Sequence, residues 1–377
     1  ENYHGPLCSR CDELYYRSSI SGNCTACESS AQDGEGFLMK YIGPIFIGFL
    51  FVMAICAVAA QRVYKKEVAA FYKRHEDRLQ AMNNHTTMLF ITAQIIVALA
   101  AVQKFAGGAA YPSPFSDMVA FMDFISLNMF ELLHVDCMVR DADFGHTLVG
   151  LTLFPLAIGA LAFSCRAAWV TVFGGDFMRG PSIKYYFMFV YFLLPATSTV
   201  ICSAHSCTTF DGDLDRDGKL DSFMTADLSI QCGTTRHKQI SIFATVMVIV
   251  YTSFPLLMLT ALWNNFEEIE NRTTRYGPKN LEVYAFFFRL YSPDMWWVSF
   301  IDVMRRLALS ALLILIEDKS VQLVVALLIS LFYAVVVREV GPHWDGSSDM
   351  LAFLCAWSTT FCVLALFWSG IETDNGE

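Results

Sequence analysis

The sequence predicts an all-α membrane protein of about eight transmembrane helices, preceded by a small disulfide-rich N-terminal module. Three observations predict it. Of 377 residues, 55% are hydrophobic and only 16% are charged, with a mean hydropathy of +0.44. The apolar residues gather into separate runs near the roughly 20 residues that carry a helix across hydrocarbon. The opening segment is polar and holds Cys8, Cys11, Cys24 and Cys27 in C-x2-C-x12-C-x2-C spacing. A net charge of −10, with no basic stripe interleaved with aromatics, argues against nucleic acid as a partner. The chain opens at Glu1 without an initiator methionine or signal peptide, which reads as a processed or partial product of a longer protein.

Residues 1–36 form the cysteine-rich module. The spacing suits a four-thiolate zinc site in a reducing compartment and a disulfide framework in an oxidising one. Topology decides between them. After a first span at 37–60, the next loop carries Arg62, Lys65, Lys66, Lys73, Arg74 and Arg78, the excess of positive charge that marks a cytoplasmic loop. The four cysteines are therefore expected outside and oxidised. Neighbours two apart would close a strained ring, so Cys8 with Cys24 and Cys11 with Cys27 is the expected choice among three pairings. Asn23-Cys24-Thr25 is a glycosylation sequon at Asn23.

The remaining elements belong to a polytopic domain at 37–370. A second span is expected at 88–105, then a rigid turn at Tyr111-Pro112-Ser113-Pro114. Residues 118–135 are apolar but interrupted by Asp123, Asn128 and Glu131, so they are read as an interfacial helix and not as a crossing. The third span, 147–170, carries Pro155, and the fourth, 185–203, carries Pro195. Arg166, Arg179 and Lys184 put the connection between them inside. An external loop at 203–238 precedes the fifth span, 240–263, which contains Pro255. A cytoplasmic segment at 264–295 holds Arg272, Arg275, Lys279 and Arg289. Within it, LEVYAFFFRL at 281–290 is an amphipathic helix that either lies on the interface or packs beneath the bundle. The sixth span runs from Trp296 to Ile316, turns at Glu317-Asp318-Lys319, and returns as the seventh, 321–337, followed by Arg338. The eighth, 351–368, leaves an acidic tail at 371–377 outside.

The sixth span is the unusual one. Its purely apolar part is too short to cross lipid, and extending it back to Trp296 draws Asp302, Arg305 and Arg306 into the membrane. Spacings of three and four put these side chains on one helical face, where they neutralise one another. They are read either as a gate near the inner mouth or as a charge pair that positions the helix while the arginines snorkel. All eight histidines sit in loops or at helix ends, which disfavours a haem bundle.

Two further features carry chemistry. Asp213, Asp215, Asp217, Lys219 through its carbonyl, and Asp221 follow a calcium-loop pattern. Met224 occupies the twelfth position, where a bidentate glutamate belongs, leaving Asp227 as the substitute. Calcium is the cofactor these residues suggest. Cys207 and Cys232 flank that loop and are expected to bond, with Cys137 and Cys202 as a second pair. Cys56, Cys165, Cys355 and Cys362 lie inside spans, where free cysteine is a small core residue. An enzymatic reading would collect His134, Asp136, His146, His205, His237 and Asp227 into a metal site of a membrane hydrolase, although no helical ligand pair ties them together.

Several stretches together carry a resemblance: Gly5-Pro6-Leu7-Cys8 with the following cysteines and Tyr15-Tyr16, FMTADLSIQC at 223–232, VYTSFPLLML at 250–259, and RLYSPDMWWVSFIDVMRRLALSALL at 289–313. They resemble the large surface proteins of unicellular eukaryotes that join ephrin-receptor-like or EGF-like cysteine repeats to a TRP-like polytopic C-terminal region. The resemblance implies that residues 1–36 are the last repeat of a long ectodomain. It also implies that the acidic residue following the family's tryptophan pair is displaced here to Asp302. The expected function is a non-enzymatic membrane anchor or signal-transmitting base in the plasma membrane, with the N-terminus extracellular. Its partners would be the bilayer, cell-surface proteins and further copies of itself. The alternative is a TRP-like cation channel, its pore built in an oligomer from Asp123 and Glu131.

Overall fold

Apolar composition at helical length is satisfied by helices, because inside lipid every backbone group must find its partner within the protein. The computed structural model describes residues 3–4, 10–11, 15–17, 24–26, 74–105, 144–175, 177, 180–209, 222–274, 281–316 and 318–374. The chain divides into two units, Glu1–Thr87 with Asn128–Ala142, and Met88–Leu127 with Asp143–Glu377.

In the first unit, β1 (Tyr3–His4) pairs antiparallel with β2 (Arg10–Cys11), and β3 (Tyr15–Arg17) with β4 (Cys24–Ala26). Cys11 and Cys24 lie on these strands, while the bonding of the four module cysteines and Asn23 falls outside the described residues. So do the expected first span at 37–60 and the interfacial helix at 118–135.

Helix α1 (Glu76–Phe105) starts a dozen residues ahead of the expected span and takes Arg78 into its first turn. The second unit continues with α2 (Phe144–Phe173), α3 (Pro181–Ser203), α4 (Thr235–Trp263), α8 (Lys319–Val340) and α9 (Gly346–Asp374). Between α4 and α8 lie the short α5 (Phe266–Glu270), α6 (Ala285–Phe288) and α7 (Val298–Ser310). Five helices among the described residues, α2, α3, α4, α8 and α9, are long and apolar enough to cross a membrane. Their outward faces carry exposed Leu161, Ile242, Ile249, Leu257, Leu328, Phe332 and Phe361. In water such faces would be costly; in hydrocarbon they are already in their solvent. A bilayer is the environment these helices fit.

Pro155, Pro195 and Pro255 sit inside α2, α3 and α4. Each removes one helical hydrogen bond, and beside Pro155 the Tyr251 hydroxyl reaches across from α4 to donate to the Thr152 carbonyl at 2.8 Å. Helix α8 stops at Gly341, whose φ of 55° is the left-handed conformation a helix terminus needs and glycine adopts freely.

Three findings differ from expectation. The external loop is not simply an acidic turn. Strands β5 (Cys207–Thr209), β6 (Ser222–Met224) and β7 (Asp227–Gln231) form a three-stranded antiparallel sheet inserted between α3 and α4. The sixth span is not one continuous helix. α7 has 13 residues, about 20 Å of rise, and gives way to a 3-10 turn at Leu312–Leu315. The eighth helix runs through to Asp374, so the first residues of the acidic tail are helical.

One of three apolar clusters among the described residues links the sheet to the segment ahead of α7. It begins at Met224 and Ile230 of the sheet and passes through Leu148 of α2, Leu194 of α3 and Met247 of α4. It ends on Phe286, Phe287, Phe288 and Trp296. Residues 281–290 therefore pack beneath the bundle instead of lying along an interface, with all four residues of α6 buried.

Candidate functional site

The break in α7 and the charges ahead of it define the site. Helical spacing brings Arg305 and Arg306 to either oxygen of Asp302. Arg305 Nη2 donates to Asp302 Oδ1 at 2.9 Å, and Arg306 Nε stands 3.4 Å from Oδ2. Arg305, Asp302 and Arg306 are 8%, 6% and 1% exposed at their side chains. The arginines do not snorkel. Each guanidinium is stacked on a tyrosine from another helix, Arg305 3.7 Å from the ring centre of Tyr333 on α8, and Arg306 4.3 Å from that of Tyr191 on α3. Aromatic faces offer a desolvated cation about 2 kcal/mol of attraction. Two guanidiniums and one carboxylate leave one positive charge in excess, and the rings take up part of that burden.

The break itself is supported by neighbours. Ending α7 frees carbonyls that lipid cannot satisfy. The Thr199 hydroxyl of α3 shares its proton between the Ser310 carbonyl at 3.0 Å and the Pro195 carbonyl of its own helix at 2.9 Å. Gln322 Nε2 of α8 donates to the Leu313 carbonyl at 2.7 Å, which also accepts from Ile316 N–H at 3.1 Å. Sequence alone treated Leu307 to Ile316 as an uninterrupted apolar run, since neither side-chain donor is local.

A polar clasp adjoins this centre at the end of the bundle away from the sheet. The Gly341-to-Asp349 connection folds against Leu290, Tyr291 and Ser292: Trp344 N–H donates to the Leu290 carbonyl at 3.1 Å, and Ser292 N–H to that of Pro342 at 2.9 Å. His343 stacks on Tyr291 and contacts Asp349 Oδ1 through Nδ1 at 2.8 Å, while its backbone N–H donates to the same oxygen at 3.0 Å. Arg272, 6% exposed, donates through Nη2 to the carbonyls of Phe288 and Tyr291. Its guanidinium also lies over the Phe288 ring at 4.6 Å. Desolvation lowers its pKa to about 10, so it stays cationic at neutral pH. A cavity of about 30 Å³ separates the clasp from the ionic centre, lined by Thr92, Tyr291, Asp302, Arg305, Tyr333 and His343 among others. That is the room of about one water molecule.

Burial lowers the pKa of His343, and Asp349 only partly opposes the shift. The folded state thus binds fewer protons here than the unfolded chain. Stability from the clasp is present above the unfolded histidine value, about 6.5, and is lost as pH falls through the lower folded value. Thermal unfolding of the protein in detergent is therefore expected to shift down as pH falls below about 6.5, and His343→Gln should flatten that slope. Parallel curves for the two proteins would count against this assignment.

The other residues singled out in the sequence are less concentrated. Cys207 and Cys232 form a disulfide across the base of the sheet. Asp213, Asp215, Asp217, Lys219 and Asp221 lie outside the described residues. Met224 is buried in the core, and Asp227 is engaged elsewhere: Oδ2 accepts from Phe144 N–H at 3.1 Å and Oδ1 from the Ser229 hydroxyl at 2.6 Å. Its carboxylate therefore anchors α2 to the sheet. Cys202 carries a free thiol buried in the apolar cluster of Ile95, Leu99 and Leu309, which overturns its pairing with Cys137. Of the scattered histidines, His205 contacts Ser241 Oγ at 2.9 Å, and burial followed by the charge of His237 lowers its pKa. Asp123, Glu131, His134 and Asp136 fall outside the described residues.

Sequence reasoning missed Tyr191, Tyr333, the His343 clasp and Arg272. The one local signal was Gly341-Pro342-His343-Trp344, too dense in special residues for a plain linker between two spans. No known protein family, characterised protein or solved structure matches the chain.

Proposed function

We propose that this chain is the membrane base of an extracellular cysteine-rich structure, holding it in the plasma membrane and passing its movements across, without catalysis. The observation that carries the reading is continuity. The sheet stands between α3 and α4, and the core beneath it extends without interruption to Phe286, Phe287, Phe288 and Trp296. There the ion pairs and rings of Tyr191, Asp302, Arg305, Arg306 and Tyr333 bind α3, α7 and α8 together. Packed interiors resist compression and have discrete arrangements, so a displacement at the sheet reaches the far end as a shift of α3 and α4.

The broken α7 is the observation that favours a cation channel, because interrupted helices supply carbonyls to ions in membrane transport sites. Here, however, the Ser310 and Leu313 carbonyls accept from Thr199 and Gln322. The adjoining cavity of about 30 Å³ is also too small for a hydrated ion.

Two measurements test the proposal. Reconstituted protein is expected to pass no current, and a calcium-selective conductance abolished by Asp302→Asn would favour the channel. Serine at both Cys207 and Cys232 should loosen the sheet and raise amide hydrogen exchange at 285–291. Exchange changes confined to 205–235 would defeat the transmission half of the reading.

A further inference from the structure

We infer that the Cys207–Cys232 disulfide is a site of thiol–disulfide exchange, at which His237 receives the departing sulfur of Cys207. A purely structural disulfide needs only enclosure. This one has Cys207 exposed and Cys232 half-buried, and a hydrogen-bond donor is set against one sulfur. His237 Nε2 lies 3.7 Å from Cys207 Sγ. The Gly233 N–H faces His237 Nδ1 at 3.4 Å, which makes Nδ1 the acceptor and leaves the proton on Nε2, toward the sulfur.

The surrounding charge fits an arriving and a departing anion. Thr234 caps α4, and the first turn beyond it holds Arg236, His237 and Lys238 with no acidic residue. The N-terminus of a helix, with no acidic residue in its first turn, favours an anion beside it. Cysteine thiolates are stabilised by helix N-termini and by neighbouring imidazole and basic groups.

The reaction requires no co-reactant beyond the incoming thiolate. Its sulfur attacks Cys232 Sγ and is oxidised as the new S–S bond forms. The electron pair of the old bond leaves on Cys207 Sγ, which is reduced to a thiolate and accepts the His237 Nε2–H hydrogen bond. The product is a mixed disulfide between Cys232 and the attacking group, with Cys207 free. The polarity follows from geometry: His237 lies beside Cys207, so Cys207 is the better leaving group and Cys232 the sulfur attacked. The substrate class is a cysteine thiolate, carried by a small thiol or by a partner protein.

The test uses the full chain in detergent micelles, incubated with reduced glutathione or with a longer single-cysteine peptide. After quenching by alkylation, peptide mapping locates the adduct. The adduct is expected on Cys232, with Cys207 alkylated. His237→Ala should slow its formation about tenfold, while His237→Gln, which keeps an N–H donor, should stay within about threefold of the parent. Faster reaction with glutathione would assign a small-thiol partner, and faster reaction with the peptide a protein one. Adducts mainly on Cys207, equal rates in the parent and His237→Ala, or rates no higher than those of an unstructured disulfide would each overturn the assignment.

Discussion

Replacing Asp302 with alanine is expected to destabilise the protein by about 3–5 kcal/mol, the largest loss from any single change to the ionic centre. The carboxylate is the one anion shared by two buried guanidiniums, each held on a tyrosine face. Removing it leaves two like charges on adjacent residues with only ring quadrupoles to offset them. Thermal unfolding in detergent would register the change, and Asp302→Asn should lose less, since its carbonyl oxygen can still accept from Arg305. A combined Asp302→Leu, Arg305→Met, Arg306→Leu variant gives the sharper comparison. Buried ion pairs replaced as a group by apolar side chains are often neutral or stabilising, so the triple variant should unfold above Asp302→Ala. Equal stability of Asp302→Ala and the parent would mean that these charges are solvated and the described packing is wrong.

Arg272→Ala is expected to cost about 3 kcal/mol, through a different cause. The side chain closes two backbone carbonyls, those of Phe288 and Tyr291, and covers the Phe288 ring. Truncation takes the donor from the Tyr291 carbonyl in the segment that supports α7, while the Phe288 carbonyl keeps the Tyr291 N–H at 3.1 Å. Arg272→Lys keeps the charge but not the planar fork, so it should recover less than half of the loss. Arg272 and Asp302 have no hydrogen bond in common, so the two alanine changes should nearly add in the double variant. Tyr291, which accepts from Arg272 and lines the cavity beside Asp302, is the route for any coupling. Strong non-additivity would show that clasp and ionic centre move as one piece.

What could be read from the chain, and what could not, follows the range of the interactions. Spans at 147–170, 185–203, 240–263, 321–337 and 351–368 were legible because lipid imposes length and hydropathy on each helix by itself, and α2, α3, α4, α8 and α9 occupy them. The Asp302, Arg305, Arg306 triad was legible because its spacing is local. Its enclosure was not, since Tyr191 and Tyr333 arrive from other helices and nothing near Asp302 in sequence names them. The end of α7 was hidden for the same reason: Thr199 and Gln322 make it tolerable, and both are tertiary partners. Strands of three to five residues in the 205–235 region fell below the length at which alternation can be told from a loop.

The length of α2 also has a consequence for the lipid around it. Its 30 residues rise about 45 Å, against a hydrocarbon slab of about 30 Å. Large apolar side chains face outward from Val149 to Phe173, a stretch that by itself rises about 37 Å. α2 must lean, or draw thicker bilayer toward itself, wherever it resides. Stacking of Phe163 on Phe177 and its edge contact with Tyr186 join that lean to the start of α3. Hydrophobic mismatch thus acts on the protein as a mechanical load, and the composition of the surrounding leaflets becomes one of its inputs.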